Sequence, residues 1–194
     1  MMTLPNILTL FRILGSFVYL YYGALQDWHT ATLIFLASAV TDLVDGALAR
    51  ILKQRTQLGA FLDPMADKLL MFFSFMTLTA SGFLPVYLTV LVVARDLFIA
   101  FGIRYLISQK ADMKYRPTFL SKTTTCFQIG TILIALILTQ KNYLPWVVTH
   151  LRLSTQALEG VCVMTAALTV VTFYQYYQIG FAILRETKFL KRAA

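Results

Sequence analysis

Apolar residues gather into six blocks separated by short polar breaks, at about 7–25, 31–53, 62–81, 84–107, 120–140 and 157–184. Each block has roughly the 20 residues that a helix needs to cross a hydrocarbon core of about 30 Å, and this predicts six transmembrane helices. The sixth block is overlong and is expected to continue as helix beyond the bilayer. Pro5 stands where the first helix begins, a position at which its missing N–H costs nothing. The breaks are a Gln26–Thr30 loop, a basic Arg50–Gln57 turn, a tight Ser81–Pro85 turn, a Ser108–Phe119 loop and a Lys141–Thr155 segment. No Gly/Ser linker, low-complexity tract or internal repeat interrupts the pattern, so residues 1–194 are expected to form a single all-α integral membrane domain.

Composition agrees with the pattern. Of 194 residues, 58% are hydrophobic and 13% charged, against about 45–50% and about 25% in soluble domains. A chain this short has too little interior to hide that excess. The formal charge of +8 would suggest nucleic acid in a soluble protein, but the basic residues cluster after the even-numbered blocks. These are Arg50, Lys53 and Arg55, then Arg104, Lys110, Lys114, Arg116 and Lys122, then Arg185, Lys188, Lys191 and Arg192. By the positive-inside rule both termini are expected in the cytoplasm, and no nucleic-acid partner is implied. The expected location is a bacterial inner membrane or its equivalent. A cleaved signal peptide is not expected, because Met1–Asn6 is uncharged and Arg12 interrupts the first apolar block. Cys126 and Cys162 lack metal-ligand spacing and read as buried thiols. Tyr19, Tyr21, Tyr22, Trp28, Tyr143 and Trp146 read as interfacial anchors. His29 and His150 fall on expected outer loops, away from any acidic residue cluster.

The acidic residues change the picture from architecture to chemistry. The chain has nine Asp and Glu, and four of them, Asp42, Asp45, Asp63 and Asp67, share one 26-residue window within the second and third blocks. Ionised groups at such depth are costly unless paired, metal-bound or facing water. Asp42 and Asp45 are three residues apart, Asp63 and Asp67 four, so each pair shares a helix face. If residues 51–58 reverse the chain at the interface, both pairs lie roughly 6–12 Å below it. This predicts a metal site between helices 2 and 3 near the cytoplasmic side. Oxygen-only ligands favour a hard divalent ion, Mg²⁺ or else Mn²⁺. Gly46, Ala49 and Gly59 let a ligand approach the backbone, and Arg50 offers a fork suited to phosphate. A hard ion beside an arginine at headgroup level suits a diphosphate, and points to phosphoryl-type transfer on a lipid. Blander readings pair a single aspartate with Lys68 or Arg95, or make Asp63 an N-cap ahead of Pro64.

The run Asp42-x2-Asp45-Gly46-x2-Ala49-Arg50-x8-Gly59-x3-Asp63-x3-Asp67 resembles the signature of the CDP-alcohol phosphotransferases at every fixed position. Likeness to the cardiolipin synthase and phosphatidylglycerophosphate synthase branch extends to Leu4–Thr9 with Arg12, Leu62–Lys68, Ala94-Arg95-Asp96 and Pro117–Lys122. The resemblance implies a six-helix, commonly homodimeric enzyme that moves a phosphatidyl group from CDP-diacylglycerol to an alcohol and releases CMP. It implies two metal ions on Asp42, Asp45, Asp63 and Asp67, with Asp67 also the general base. It assigns Gly46, Ala49, Arg50 and Gly59 to the CDP moiety, with Thr56 as a weaker hydroxyl contact.

The expected acceptors are phosphatidylglycerol, giving cardiolipin, and glycerol 3-phosphate. Either brings phosphate oxygens, for which Arg95, Arg104, Arg116 and Lys122 are the expected ligands, with Lys114 nearby. Members that use glycerol 3-phosphate usually carry Glu after the Ala-Arg and a second lysine in the fifth span. This chain has Asp96 and Thr124 there, which favours the diester acceptor. A membrane prenyltransferase or an ion-coupled transporter would also use intramembrane aspartates. The first ordinarily needs two separate acidic motifs, the second repeated halves, and the sequence has neither.

Overall fold

The computed structural model describes the backbone of residues 4–52, 57–108, 118–140 and 154–193, and the side chains of 9–41, 62, 65–106, 118–140 and 154–185. Among the described residues the regular structure is entirely helical, in six helices. These are α1 (Leu4–Ala24), α2 (Trp28–Leu52), α3 (Gln57–Ala80), α4 (Val86–Ser108), α5 (Phe119–Thr139) and α6 (Thr155–Ala193). Each coincides with one apolar block, and α6 runs on past its block as expected. Among the described residues three stretches are long and apolar enough to cross a membrane, Val86–Leu106, Phe119–Thr139 and Thr155–Arg185. Large apolar side chains face outward along the helices, such as Phe11, Phe17, Phe101 and Val163. A water-soluble chain rarely carries so much exposed apolar surface, whereas a bilayer requires it.

The backbone divides into two compact units. One holds residues 1–84 and 132–155, the other 85–131 and 156–194, so α5 contributes to both. In the first unit α1 packs on α2 and α3 through a face of Thr9, Arg12, Ser16 and Tyr19, all buried. Two glycines set the spacing. A Cβ on Gly15 would stand 3.3 Å from Ser38 Oγ, and one on Gly23 would stand 3.1 Å from Thr77 Cγ2. Tyr19 is fully buried, its hydroxyl accepting from Thr77 Oγ1 at 3.3 Å and its ring against Phe35. It is a core residue of this unit, not the interfacial anchor expected. Gln140, at the end of α5, donates from Nε2 to the Trp28 carbonyl at 2.8 Å and to Thr32 Oγ1 at 3.1 Å, tying that end to the start of α2.

Two turns repeat one device. After α1, Asp27 N donates to Tyr22 O and Gln26 N to Gly23 O, with Gln26 at φ 60°. After α3, Phe83 N donates to Leu78 O and Gly82 N to Thr79 O, with Gly82 at φ 79°. Both are Schellman caps, whose left-handed position glycine fills without strain and glutamine does not. Asp27 then caps α2, accepting from Thr30 N at 3.2 Å and Thr30 Oγ1 at 2.7 Å, and these bonds hold its carboxyl below the usual carboxylate range. The Gln26–Thr30 loop expected from sequence is thus shorter, and His29 lies in the first turn of α2 beside Gln140.

Two further expectations need correction. Because α3 begins at Gln57, Asp63 and Pro64 lie inside the helix, so Asp63 is not its N-cap. Pro64 instead removes the N–H that would bond the carbonyl of Ala60. Cys162 is buried but Cys126 is exposed on α5, so the buried-thiol reading holds for one cysteine only.

Candidate active site

The signature lies on the two helices that α1 covers. Asp42, Asp45, Gly46, Ala49 and Arg50 stand on α2, and Gly59, Asp63 and Asp67 on α3. Helical register keeps Asp63 and Asp67 one turn apart on one face, and Asp42 within one turn of Asp45. The side chains at 42–50, 59 and 63 lie outside the described residues, as do Thr56 and Arg116 altogether. Among the described residues no three His, Cys, Asp or Glu side chains gather, since only Asp67 of the four aspartates is included.

Asp67 shows how the helices build the site. Arg12, halfway along α1 and with its side chain 1% exposed, reaches α3 and donates from Nη1 to Asp67 Oδ1 at 3.1 Å. The Asp67 side chain is 46% exposed. One carboxylate oxygen is therefore fixed by a cation anchored in the core, while the group as a whole stays accessible. A guanidinium buried in an apolar helix is costly unless a carboxylate meets it. In the sequence Arg12 interrupts the first block and belongs to the family likeness, with no partner assigned to it. A lone deep cation on one helix and surplus deep carboxylates on another was the signal that pairs them. Lys68, with Arg95 an expected partner for an aspartate, has an exposed side chain.

The second unit also contains a buried arginine. Arg95 on α4 is 3% exposed. Its Nη1 donates to Asp96 Oδ1 at 2.7 Å and its Nη2 to Ser121 Oγ at 2.7 Å, with the Tyr176 ring 5.9 Å from the guanidinium carbon. Its carboxylate partner is thus its neighbour Asp96, and Ser121 and Tyr176 are partners that sequence did not reveal. Thr118 caps α5 by accepting from Ser121 N at 3.2 Å, and Lys122 follows, exposed. Arg104 is also exposed. Nine residues beyond Arg95, it lies about half a revolution round α4 and roughly 13 Å along it, which sets the two apart.

Further along α5 the inner face is polar but closed. Thr124 is fully buried and shares a 2.7 Å hydrogen bond with Thr172 on α6, and Thr131 shares one of 2.8 Å with Thr165. Thr124 is thus spent on helix packing. Between these pairs sits Gln128, fully buried, with neither amide atom hydrogen-bonded among the described residues.

The comparisons with known proteins agree with the signature. Residues 2–171 match the model of the CDP-alcohol phosphatidyltransferase family. Human "Cardiolipin synthase (CMP-forming)" is 31% identical over 92% of this chain and 62% of its own length. The "CDP-diacylglycerol--glycerol-3-phosphate 3-phosphatidyltransferase" of Aquifex aeolicus is 31% identical over 94% of this chain and 98% of its own. The protein of the same name from Cereibacter sphaeroides is 36% identical over 73% and 66%. The chain thus spans about three fifths of the length of the human relative and nearly all of the Aquifex one. With the family model covering most of its length and the aspartate signature complete, this chain belongs to the CDP-alcohol phosphatidyltransferase family.

Proposed function

We propose that this chain transfers the phosphatidyl group of CDP-diacylglycerol to a glycerol-type acceptor and releases CMP, with Asp67 as the base. The observation that carries this reading is the Arg12–Asp67 contact, which fixes one oxygen of a half-exposed carboxylate at the end of the signature. Asp67 takes the proton of the acceptor hydroxyl. The hydroxyl oxygen bonds to the phosphatidyl phosphorus as the bond from that phosphorus to CMP breaks. Arg12 acts as a positioning residue through Asp67. Arg50 holds phosphate, with Gly46, Ala49, Thr56 and Gly59 beside the nucleotide.

Asp42, Asp45, Asp63 and Asp67 are an all-oxygen donor set that fits two Mg²⁺ ions, with Mn²⁺ as a substitute. Bound there, the ions would neutralise the diphosphate of the donor lipid. All six helices cross the bilayer in this reading, with both termini and the site on the cytoplasmic side, and two copies form a homodimer.

The favoured acceptor is phosphatidylglycerol. It is supported by the human relative's name and by Thr124, which supplies no second cation for the near-dianion of glycerol 3-phosphate. Lys122, exposed beside Ser121, and Arg116 contact the acceptor phosphate, while Arg95 holds Ser121 in place. The names of the Aquifex and Cereibacter relatives favour glycerol 3-phosphate instead. The test is CMP release by purified protein with CDP-diacylglycerol and Mg²⁺, offered each acceptor or none, with the lipid product identified by mass. Cardiolipin formed only with phosphatidylglycerol is the expected result; turnover with glycerol 3-phosphate alone overturns the acceptor, and no CMP release overturns the activity.

A further inference from the structure

The second unit contains a cavity of about 400 Å³ between the C-terminal parts of α4 and α6. Its walls run over Phe98–Leu106 on one helix and Tyr176–Leu184 on the other, and are almost wholly apolar. One end is closed where the Phe98 ring meets Phe173 at 4.4 Å. The side is open, since Phe101, Tyr105, Tyr177 and Phe181 line the cavity and are each about half exposed or more. Gly102 and Gly180 keep it wide. A Cβ on either meets nothing within 4 Å, so these glycines leave space, unlike Gly15 and Gly23, which bring helices together. A mid-helix glycine is unfavourable relative to alanine, and here no close backbone approach offsets it.

The far end is cationic. Arg185 ends the apolar stretch of α6, and its guanidinium carbon stands 4.5 Å from the centroid of the Phe181 ring in the cavity wall. Arg104 is exposed on the α4 segment that forms the other wall. Neither makes an ion pair with a described residue. An apolar slot open to the side, with guanidinium groups at the end of a membrane-spanning stretch, matches one kind of molecule: an acyl chain joined to a phosphate. A second copy of this chain fits poorly, because a symmetric contact would bring the same arginines together.

We propose that the α4–α6 cavity binds an anionic phospholipid of the bilayer, one acyl chain between Gly102 and Gly180 and its phosphate on Arg185 and Arg104. The cavity is lined by other helices than α2 and α3, which carry the aspartate signature, and binding there does not depend on the transfer activity.

The test reconstitutes the full chain in lipid nanodiscs containing a trace of phosphatidylglycerol or phosphatidylcholine with a photoreactive acyl chain, and maps adducts by peptide mass. Adducts on the α4 and α6 walls should exceed those on the outer face of α1 at Phe11 and Phe17. Phosphatidylglycerol should label about 25-fold more than phosphatidylcholine, the preference expected for two arginines at the membrane surface. Gly180→Leu should remove the wall adducts by filling the slot. Arg185→Gln, a change at an exposed residue, should lower the preference between the two lipids, and Arg104→Gln with Arg185→Gln should abolish it. Labelling no greater than on α1, equal labelling by both lipids, or adducts unchanged in Gly180→Leu would each overturn the proposal.

Discussion

Among the described residues each of the two units buries one arginine, and they use it in opposite ways. Arg12 reaches across to a carboxylate 55 residues away in sequence that stays half exposed. Arg95 turns to the next residue, Asp96, with Ser121 and Tyr176 completing its surroundings. Both satisfy the requirement that a charge leaving water finds an opposite charge and hydrogen bonds. Arg12 thereby fixes a group that belongs to the signature, whereas Arg95 joins α4 to the first turn of α5. A buried cation is informative about function through the partner it selects, not through its burial.

The comparison is most sharply broken at Asp67. Asp67→Asn should lower CMP release by about 10²- to 10⁴-fold, the usual range for a general base, while CDP-diacylglycerol binding persists. Asp42→Asn or Asp63→Asn should weaken metal-dependent binding as well. Rate measurements paired with nucleotide-lipid titration separate the two outcomes. The arginines should then diverge. Arg95→Gln removes a buried guanidinium bonded to Asp96 and Ser121 and should destabilise the fold by about 2–3 kcal/mol, read as a lower thermal midpoint in detergent. Lys122→Gln, at an exposed position, should raise the acceptor KM without moving that midpoint.

Smaller effects probe packing and caps. Gln128→Met replaces a buried amide without a hydrogen-bond partner among the described residues, and should raise stability by about 1–2 kcal/mol. An unchanged or lowered midpoint would mean that the amide is satisfied in the membrane. Gln26→Gly should stabilise the first Schellman cap by roughly 1 kcal/mol, and Gly82→Ala should destabilise the second by a similar amount. Asp27→Ala should lower the midpoint at neutral pH. Because the folded-state pKa of Asp27 is depressed, its contribution is present above the ordinary carboxylate range and disappears as pH falls through the depressed value. The gap between wild type and Asp27→Ala should close over that acidic window.

Much of this was legible along the chain, for identifiable reasons. Span length alone places the helices, because a bilayer demands runs of about 20 apolar residues whatever their periodicity. Fixed spacing puts Asp42 with Asp45, and Asp63 with Asp67, on common faces. The start of α3 was not legible, since Asp63–Pro64 imitates a helix start that actually lies at Gln57. Tyr19 looked interfacial because aromatic residues near span ends usually are, yet Thr77 and Phe35 enclose it. The Arg12–Asp67 and Arg95–Ser121 contacts depend on which helices neighbour each other, which local pattern does not encode. Thr124 shows the same limit: its missing charge is visible in sequence, its bond to Thr172 is not.

The most direct test of the central claim is single-turnover CMP release by wild type, Arg12→Gln, Asp67→Asn and the double variant, with donor-lipid affinity measured in parallel. If Arg12 works by fixing the Asp67 carboxylate, Arg12→Gln alone should slow release by about 10- to 100-fold at unchanged donor affinity, and should cost nothing further once Asp67 is Asn. Full multiplication of the two effects, or an Arg12→Gln rate equal to wild type, would contradict it.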